Sequence, residues 1–512
     1  MSETNRIAKN TIVVYARLFL TTIIGLLTSR FALQALGISD YGLYNVVGGV
    51  IAMFSVISGS LSTTTVRFLN MEIGKENGKP NEIFNICNVV HIVFAIILLL
   101  LAETLGVYYI LHYLNVEPGK EASAMFVFQV STIVACLGLI NIPYVSTFIA
   151  KEKFIQIAIV DIVNAIIKLL SVILLLNYSG NTLKMYALLM SLTTFFSFLI
   201  YHYLSYKQWK EIVQWNFVKA RAEYKKVLTF NNYNFLAAVS LVFRSQGTNI
   251  LINMFFGTII NGAYAIAKTV QGFVEAFMAN FDTAAAPQIV QHVAAGNNDA
   301  SEQLVYKISR YCILMMILVL FPLYLEIDYL LHLWLGVVVD DAIIFCKLLL
   351  IVLLVASTAG GILQYINASG KIKWFKIQSC FWSLLIIPLG YWGFSAGCAA
   401  WWIFILLIGT DVFNRITQLV LMKKLLSFDS IAFIKSAYTR PIIVLLSMLL
   451  YSVVYVKIQT GIAFSGWGHM GGILLTIVAN LFCILFVGIT PEERENIKNK
   501  LTLIVQKNGC KD

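Results

Sequence analysis

The sequence predicts an all-α integral membrane protein of about fourteen transmembrane helices. Three observations carry that reading. The 512-residue chain is 59% hydrophobic and 12% charged, with a mean hydropathy of +0.80, whereas soluble domains carry about 25% charged residues. Apolar runs of roughly 20 residues, the length that crosses a bilayer, recur from end to end. Basic residues crowd into every second loop. A chain this apolar cannot hide its surface in one water-soluble core.

The runs fall at 11–36, 43–68, 83–111, 123–148, 155–177, 183–206, 229–256, 262–290, 303–327, 341–367, 374–392, 396–421, 440–458 and 471–490. The first is too long for a signal-peptide core and has no small-residue cleavage site behind it, so it is expected to remain a membrane helix. The eleventh and twelfth are parted only by a Gly-rich break inside "SCFWSLLIIPLGYWGFSAGCAAWWIFILLIG".

One set of loops holds Lys75 and Lys79, Lys151 and Lys153, the stretch from Lys207 to Lys226, Lys371 to Lys376, and Lys423 to Arg440. The alternate loops hold little more than Lys120, Lys184 and Lys457, beside Glu117, Asp328, Asp340 and Asp341. This asymmetry places both termini in the cytoplasm and requires an even number of spans. It also accounts for the net charge of +11 without nucleic acid as a partner.

The chain repeats itself. "GISDYGLYNVVGG" begins at Gly37 and "GTIINGAYAIAKT" at Gly257; Gly42 and Tyr44 match Gly262 and Tyr264 at an offset of 220 residues, which also carries Asn77 to Asn297. Six spans separate the copies, so the two halves share one orientation, a parallel repeat. The glycine with its polar turn is expected to make a tight outer hairpin in each half. The organisation is therefore an N-lobe over 1–206 (spans one to six) and a basic linker over 207–228. A C-lobe follows over 229–421 (spans seven to twelve). An amphipathic linker with the last two spans takes 422–490, and a basic tail 491–512. Trp209 and Trp215 suggest that the 207–228 linker is a helix lying on the membrane surface.

Charges inside the membrane mark the functional candidates. In "AIAKTVQGFVEAFMANFDTA" the eighth span carries Lys268, Glu275 and Asp282 at seven-residue steps. Such steps share one helix face, and Gln271 lies on it too. Each charge costs roughly 2.5–3.5 kcal/mol at mid-bilayer, so the line must face water or partners rather than lipid. At ~1.5 Å per residue from Gly262, Lys268 lies about 9 Å deep and Glu275 about 20 Å deep. Glu275 is then the deepest ion-coupling candidate, with Asp282 near the cytoplasmic edge. The structural alternative is a buried pair between Glu275 and Arg244 of the seventh span.

The fifth span gives a second line: Asp161, Asn164, Lys168 and Ser171. Asp161 and Lys168 are too far apart along the helix to touch, so each needs another partner or water. Arg17 and Arg30 of the first span are thirteen residues apart and point in different directions, so one of them is expected to face the cavity. Asp411 and Arg415, one turn apart, read as a local ion pair, and Arg67 as a snorkelling end residue. Glu103 and Glu326 are placed at wet outer ends, and His91 and Lys347 stay undecided between packing and function. Over the deep positions cations prevail. A cavity so lined would attract an anion, and Arg suits phosphate because its fork donates two hydrogen bonds at once.

The eight cysteines, Cys87, Cys136, Cys312, Cys346, Cys380, Cys398, Cys483 and Cys510, show no metal or redox spacing and read as packing residues. The sequence has no P-loop, no zinc-spaced His–Glu cluster and no nucleophile elbow. These absences argue against ATP binding by this chain and against an enzyme. No cofactor is called for beyond a coupling proton or Na⁺.

Two six-span lobes with fourteen spans resemble the polysaccharide transporter branch of the MOP exporter superfamily, the Wzx-type repeat-unit flippases. The local signatures are "LGISDYGLYNVVGG" after the first span, "NIPYVSTFIAKEKF" from Asn141, and "AYAIAKTVQGFVEAFMANFDTAAAPQIVQ" ending near Pro287. The resemblance implies a cargo, an O-antigen, capsule or exopolysaccharide unit on undecaprenyl pyrophosphate, moved to the outer leaflet of a bacterial inner membrane. It implies lobes that alternate access, contact with membrane lipids, and a polysaccharide polymerase or chain-length regulator as partner. On this reading Arg244, Lys268, Lys168, Arg30, Arg17 and Gln271 contact substrate, while Glu275, Asp161 and Asp282 couple an ion. The alternatives are a cation-coupled multidrug exporter of the related MATE branch and a lipid II flippase.

Overall fold

The structure, a computed structural model, describes residues 3–54, 57–229, 232–294, 298–462 and 466–495. All regular structure among them is helical. Among the described residues eleven helices are long and apolar enough to cross a membrane, and the pair Asp340–Ser357 and Ile362–Ser369, bent by 44°, makes a twelfth when taken as one span. Two of the eleven are double. Arg17–Met53 breaks at Gly37 (φ 72°, ψ 169°) and Val239–Glu275 breaks at Gly257 (φ 77°, ψ −170°). Counting the arms separately gives the fourteen segments that the apolar runs predict. The eleventh and twelfth runs are helices Lys373–Ser395 and Trp402–Leu426, parted at Gly397.

The two breaks stand 220 residues apart, the offset of the sequence repeat. Positive φ is open to glycine and strains any residue with a Cβ, so each copy begins with the residue that allows its hairpin. The bend falls at the first glycine of each copy, Gly37 and Gly257, while Gly42 and Gly262 serve a different purpose. A Cβ on Gly42 would stand 2.1 Å from the Thr258 carbonyl oxygen and 2.6 Å from the Gly262 nitrogen, and one on Gly262 would stand 2.4 Å from the Ile38 oxygen. The hairpins therefore cross backbone against backbone. Polar side chains tie the crossing. Asn261 Nδ2 donates to Asn249 O (2.9 Å) and Oδ1 (2.8 Å), Asn249 Nδ2 donates to Asn45 O (3.2 Å), and the Ser39 and Thr258 hydroxyls meet at 2.9 Å. Lys120 fastens the neighbouring loop, with its ammonium 2.6 Å from Asp40 and 2.8 Å from Glu117. Asn297, the partner of Asn77 in the repeat, lies outside the described residues.

The chain packs as two compact units, Met1–Ile266 with Ser379–Ile403, and Ala267–Gln378 with Phe404–Asp512. In the first unit a buried cluster around Leu69, Phe84, Phe148 and Tyr201 includes Ile212 and Val213 from the start of the linker. The linker is not one surface helix. Helix Thr182–Val213 is kinked at Trp209 (φ −142°, ψ 47°), and a new helix, Arg221–Thr229, begins after a non-helical stretch. Trp209 packs edge-on against Phe148 (centroids 4.9 Å apart). Asn81 Nδ2 donates to the carbonyls of Ile212 (2.9 Å) and Gln214 (2.8 Å), and Asn85 Nδ2 donates to Gln214 O (3.0 Å). Burial and these donors pull the chain onto the third span, leaving Trp215 and Phe217 exposed.

In the second unit the last two spans pack on the ninth through Ile313, Leu314, Phe321, Val444 and Met448. Just past the fourteenth span, Glu493 pairs with buried Arg310, and Lys307 stands 3.7 Å away. Thr490 and Glu493 form a capping box: the Thr490 amide donates to Glu493 Oε2 (2.9 Å) and the Glu493 amide donates to Thr490 Oγ1 (3.3 Å). Burial pushes the Glu493 carboxyl up, but the Thr490 amide and the Arg310 guanidinium outweigh it and hold the carboxyl below its usual range. Removing one partner strands the other charge, so Glu493→Ala is expected to cost about 3–5 kcal/mol near neutral pH. Because the folded form favours the ionised carboxyl, this contribution is present above the ordinary glutamate range, about pH 4.3, and fades as pH falls below it. Thermal unfolding in detergent at several pH values checks both statements. The tail beyond Glu495 lies outside the described residues. The described cysteines are buried or half-buried.

Candidate functional site

A cavity of about 900 Å³ lies within the first unit, among spans one, two, four, five and six. Its ionic wall comes from the fifth span, helix Phe154–Leu175. Asp161, Asn164 and Lys168, at steps of three and four, all face the cavity, and Ser171 of the same line is buried. Asn164 is held by donation from Nδ2 to Ser197 Oγ at 2.6 Å.

The partner that Asp161 lacked on its own helix is Arg17, whose Nη1 donates to Asp161 Oδ2 at 3.1 Å across 144 residues of sequence. Their side chains are 30% and 42% exposed, so the pair is wet rather than sealed. Arg17 lines this cavity and Arg30 does not. Among the described residues no carboxylate bridges the Lys168 ammonium. The hydroxyls of Thr21, Thr28 and Ser29 turn back onto the carbonyls of Arg17, Ile24 and Gly25 of their own helix. The cavity's chemistry therefore rests on its ionic groups: among the lining residues, Arg17 and Lys168 are cationic and Asp161 is the one carboxylate. Tyr44 and Tyr186, edge-to-face at 4.7 Å, supply an aromatic side.

The second unit holds the line on the eighth span. Lys268 Nζ donates to Gln271 Oε1 (2.8 Å), and Gln271 Nε2 donates to Glu275 Oε1 (2.6 Å). One amide thus bridges a cation and a carboxylate along a single helix face. Glu275, read from depth as the most shielded of the three, is exposed. Distance along a helix measures depth only; which face looks outward depends on tertiary packing. The Asp282 side chain lies outside the described residues. Arg244 is half-buried on the seventh span, where its carbonyl accepts the Thr248 hydroxyl at 2.8 Å.

The secondary candidates sort as follows. His91 is buried, with Nδ1 2.7 Å from the Cys87 carbonyl one turn back, a packing role. Arg415 reaches Thr358 Oγ1 at 3.2 Å and also donates to Gln418. Glu103 is exposed, as expected. Glu326 is not: its side chain is 0% exposed and is held by Tyr455, Gln459 and His469. Reading it as a wet end residue missed that the last two spans cover it. The only signal in the sequence was the clustering of polar residues at the facing ends of those spans.

No protein-family profile and no curated protein sequence matches the chain. Solved structures do. The chain is similar to the lipid II flippase MurJ in an inward closed conformation, with TM-score 0.63 and 14% identity, covering 93% of this chain and 98% of that one. It is similar to an inward-facing multidrug resistance MATE family transporter of the MOP superfamily, with TM-score 0.59 and 12% identity, covering 80% and 99%. It is also similar to the MATE multidrug transporter DinF-BH in complex with R6G, with TM-score 0.57 and 16% identity, covering 83% and 96%. These are transporters and a flippase, not enzymes. The chain is a multi-pass helical membrane protein whose fold is similar to that of these solved transporters and flippase.

Proposed function

We propose that the chain is a flippase that carries an undecaprenyl-pyrophosphate-linked oligosaccharide from the cytoplasmic to the outer leaflet of a bacterial inner membrane by alternating access. One observation carries the reading: a membrane-embedded cavity with two fixed cations, Arg17 and Lys168, against the single carboxylate Asp161. A pyrophosphate headgroup leaving water needs such cations, and a guanidinium can grip it in two places. The fold shared with a lipid II flippase supports a polyprenyl-linked passenger. A cationic drug, the passenger of the multidrug reading, would meet two like charges in this cavity.

Asp161 supplies the coupling. An incoming anion competes with Asp161 for Arg17, and a proton on Asp161 removes the competitor. Proton and anion therefore help each other bind. Glu275, tied to Gln271, is the second candidate for coupling.

Deleting the gene tests the function. The expected result is lipid-linked oligosaccharide piling up in the inner leaflet while surface polysaccharide disappears. Intact surface polysaccharide with no pile-up overturns the reading. Sensitivity to cationic dyes would favour a drug exporter instead, and loss of viability with trapped lipid II would favour a cell-wall flippase.

A further inference from the structure

Glu326 lies on helix Asn298–Leu335, nine residues before its end, with its side chain 0% exposed. Donors reach it from two other helices. From Thr439–Ile462, the Tyr455 hydroxyl and Gln459 Nε2 (3.3 Å) donate to Oε1; from Gly466–Cys483, His469 Nδ1 lies 2.7 Å from Oε2. Tyr329, one turn on from Glu326, stacks flat on the His469 ring with centroids 4.3 Å apart. Its hydroxyl donates to the Gly466 carbonyl at 3.2 Å. At this end of the unit the last two spans are tied to the ninth through Glu326 and Tyr329.

A lone ionised carboxylate so deeply buried costs several kcal/mol. Tyr455 and Gln459 can hydrogen-bond it but cannot cancel its charge. His469 can, by holding a proton. The neutral arrangements of the pair, carboxylate with imidazolium or carboxylic acid with imidazole, each carry one proton more than carboxylate with imidazole. The proton has a route: His469 is 20% exposed, and both residues line a cavity of about 460 Å³. The other ionisable groups around this cavity nearly offset one another. Asp328 of the same helix pairs with His332 at 3.0 Å, and Lys347 of helix Asp340–Ser357 lies over the Tyr324 ring at 5.8 Å.

We propose that Glu326 and His469 form a proton-binding clasp, separate from the transport cavity, that holds the last two spans against the ninth. The basic-loop pattern puts this end of the ninth span on the outer face, so the clasp reads external pH whatever the passenger is. Binding its proton closes it, and losing the proton as pH rises loosens it.

Hydrogen–deuterium exchange of the whole purified protein in detergent tests this, with rates corrected for intrinsic exchange. Between about pH 6 and about pH 8.5, protection of Gly466–Cys483 should fall by up to about tenfold per pH unit, the limit for one linked proton. Protection of Lys373–Ser395 should hold steady. Glu326→Gln, whose amide oxygen can accept from Tyr455 and Gln459 while its NH2 group faces His469 Nδ1, should flatten the pH response. Equal wild-type protection of Gly466–Cys483 at both pH values overturns the proposal, as does a Glu326→Gln variant that keeps the wild-type response. Should the variant fail to fold, the wild-type comparison decides alone.

Discussion

Replacing Gly42 with alanine is expected to leave little properly folded protein in detergent. The added Cβ would stand 2.1 Å from the Thr258 carbonyl oxygen and 3.0 Å from the Gly262 Cα, atoms of backbone that cannot swing away as a side-chain tip can. The helices must separate or bend, and the buried Asn249 and Asn261 that tie the crossing must shift with them. The cost should exceed the ~1–3 kcal/mol of ordinary overpacking, because backbone rather than rotamers has to give. Gly262→Ala should fail in the same way, with its Cβ 2.4 Å from the Ile38 oxygen. Gly25→Ala is the control. Nothing lies within 4 Å of its added Cβ, and in a helix interior alanine should gain about 1 kcal/mol over glycine. Size-exclusion profiles and melting temperatures separate these outcomes. A Gly42→Ala protein that melts like the parent would show that the hairpins do not cross this closely.

The second large effect concerns the cavity charges. With inorganic pyrophosphate as probe, Lys168→Gln and Arg17→Gln should each weaken binding by tenfold or more. A charge-assisted hydrogen bond contributes about 1.5–3 kcal/mol, and every 1.4 kcal/mol is tenfold. Asp161→Asn should act in the opposite direction. It removes the carboxylate that occupies Arg17 at 3.1 Å, so pyrophosphate should bind more tightly and with less dependence on pH, while export falls because release no longer follows proton loss. Calorimetric titration in buffers of different ionisation enthalpy reads the proton directly: the parent protein should take one up with the anion, and Asp161→Asn should not. Unchanged binding in both cation variants would remove this cavity as the headgroup site. Binding without proton uptake in the parent would remove Asp161 as the coupling group and leave the headgroup site standing.

The polar line on the fifth span was legible because helical spacing alone sets a shared face, and the structure turns Asp161, Asn164 and Lys168 into one cavity. The bond from Arg17 to Asp161 was not legible, since nothing in a single sequence pairs residues 144 apart. The repeat was visible as matched glycines, but spacing cannot show the sign of φ. Spacing therefore leaves open which glycine of each copy makes the bend, and the structure puts it at Gly37 and Gly257. Glu326 was misread for a related reason. The apolar run stops at residue 327 but the helix continues to Leu335, and the residue's burial depends on a face of the last two spans that hydropathy does not specify. Glu275 shows the converse: depth along a helix gave no warning that the residue is exposed.

The paired breaks at Gly37 and Gly257 also speak to ancestry. Side chains at corresponding steps of the two halves have drifted almost beyond recognition, yet the same joint, bent with the same handedness, recurs after 220 residues. Tandem duplication of a shorter gene leaves such a trace, because a joint that tolerates only one amino acid is copied faithfully long after its surroundings have diverged.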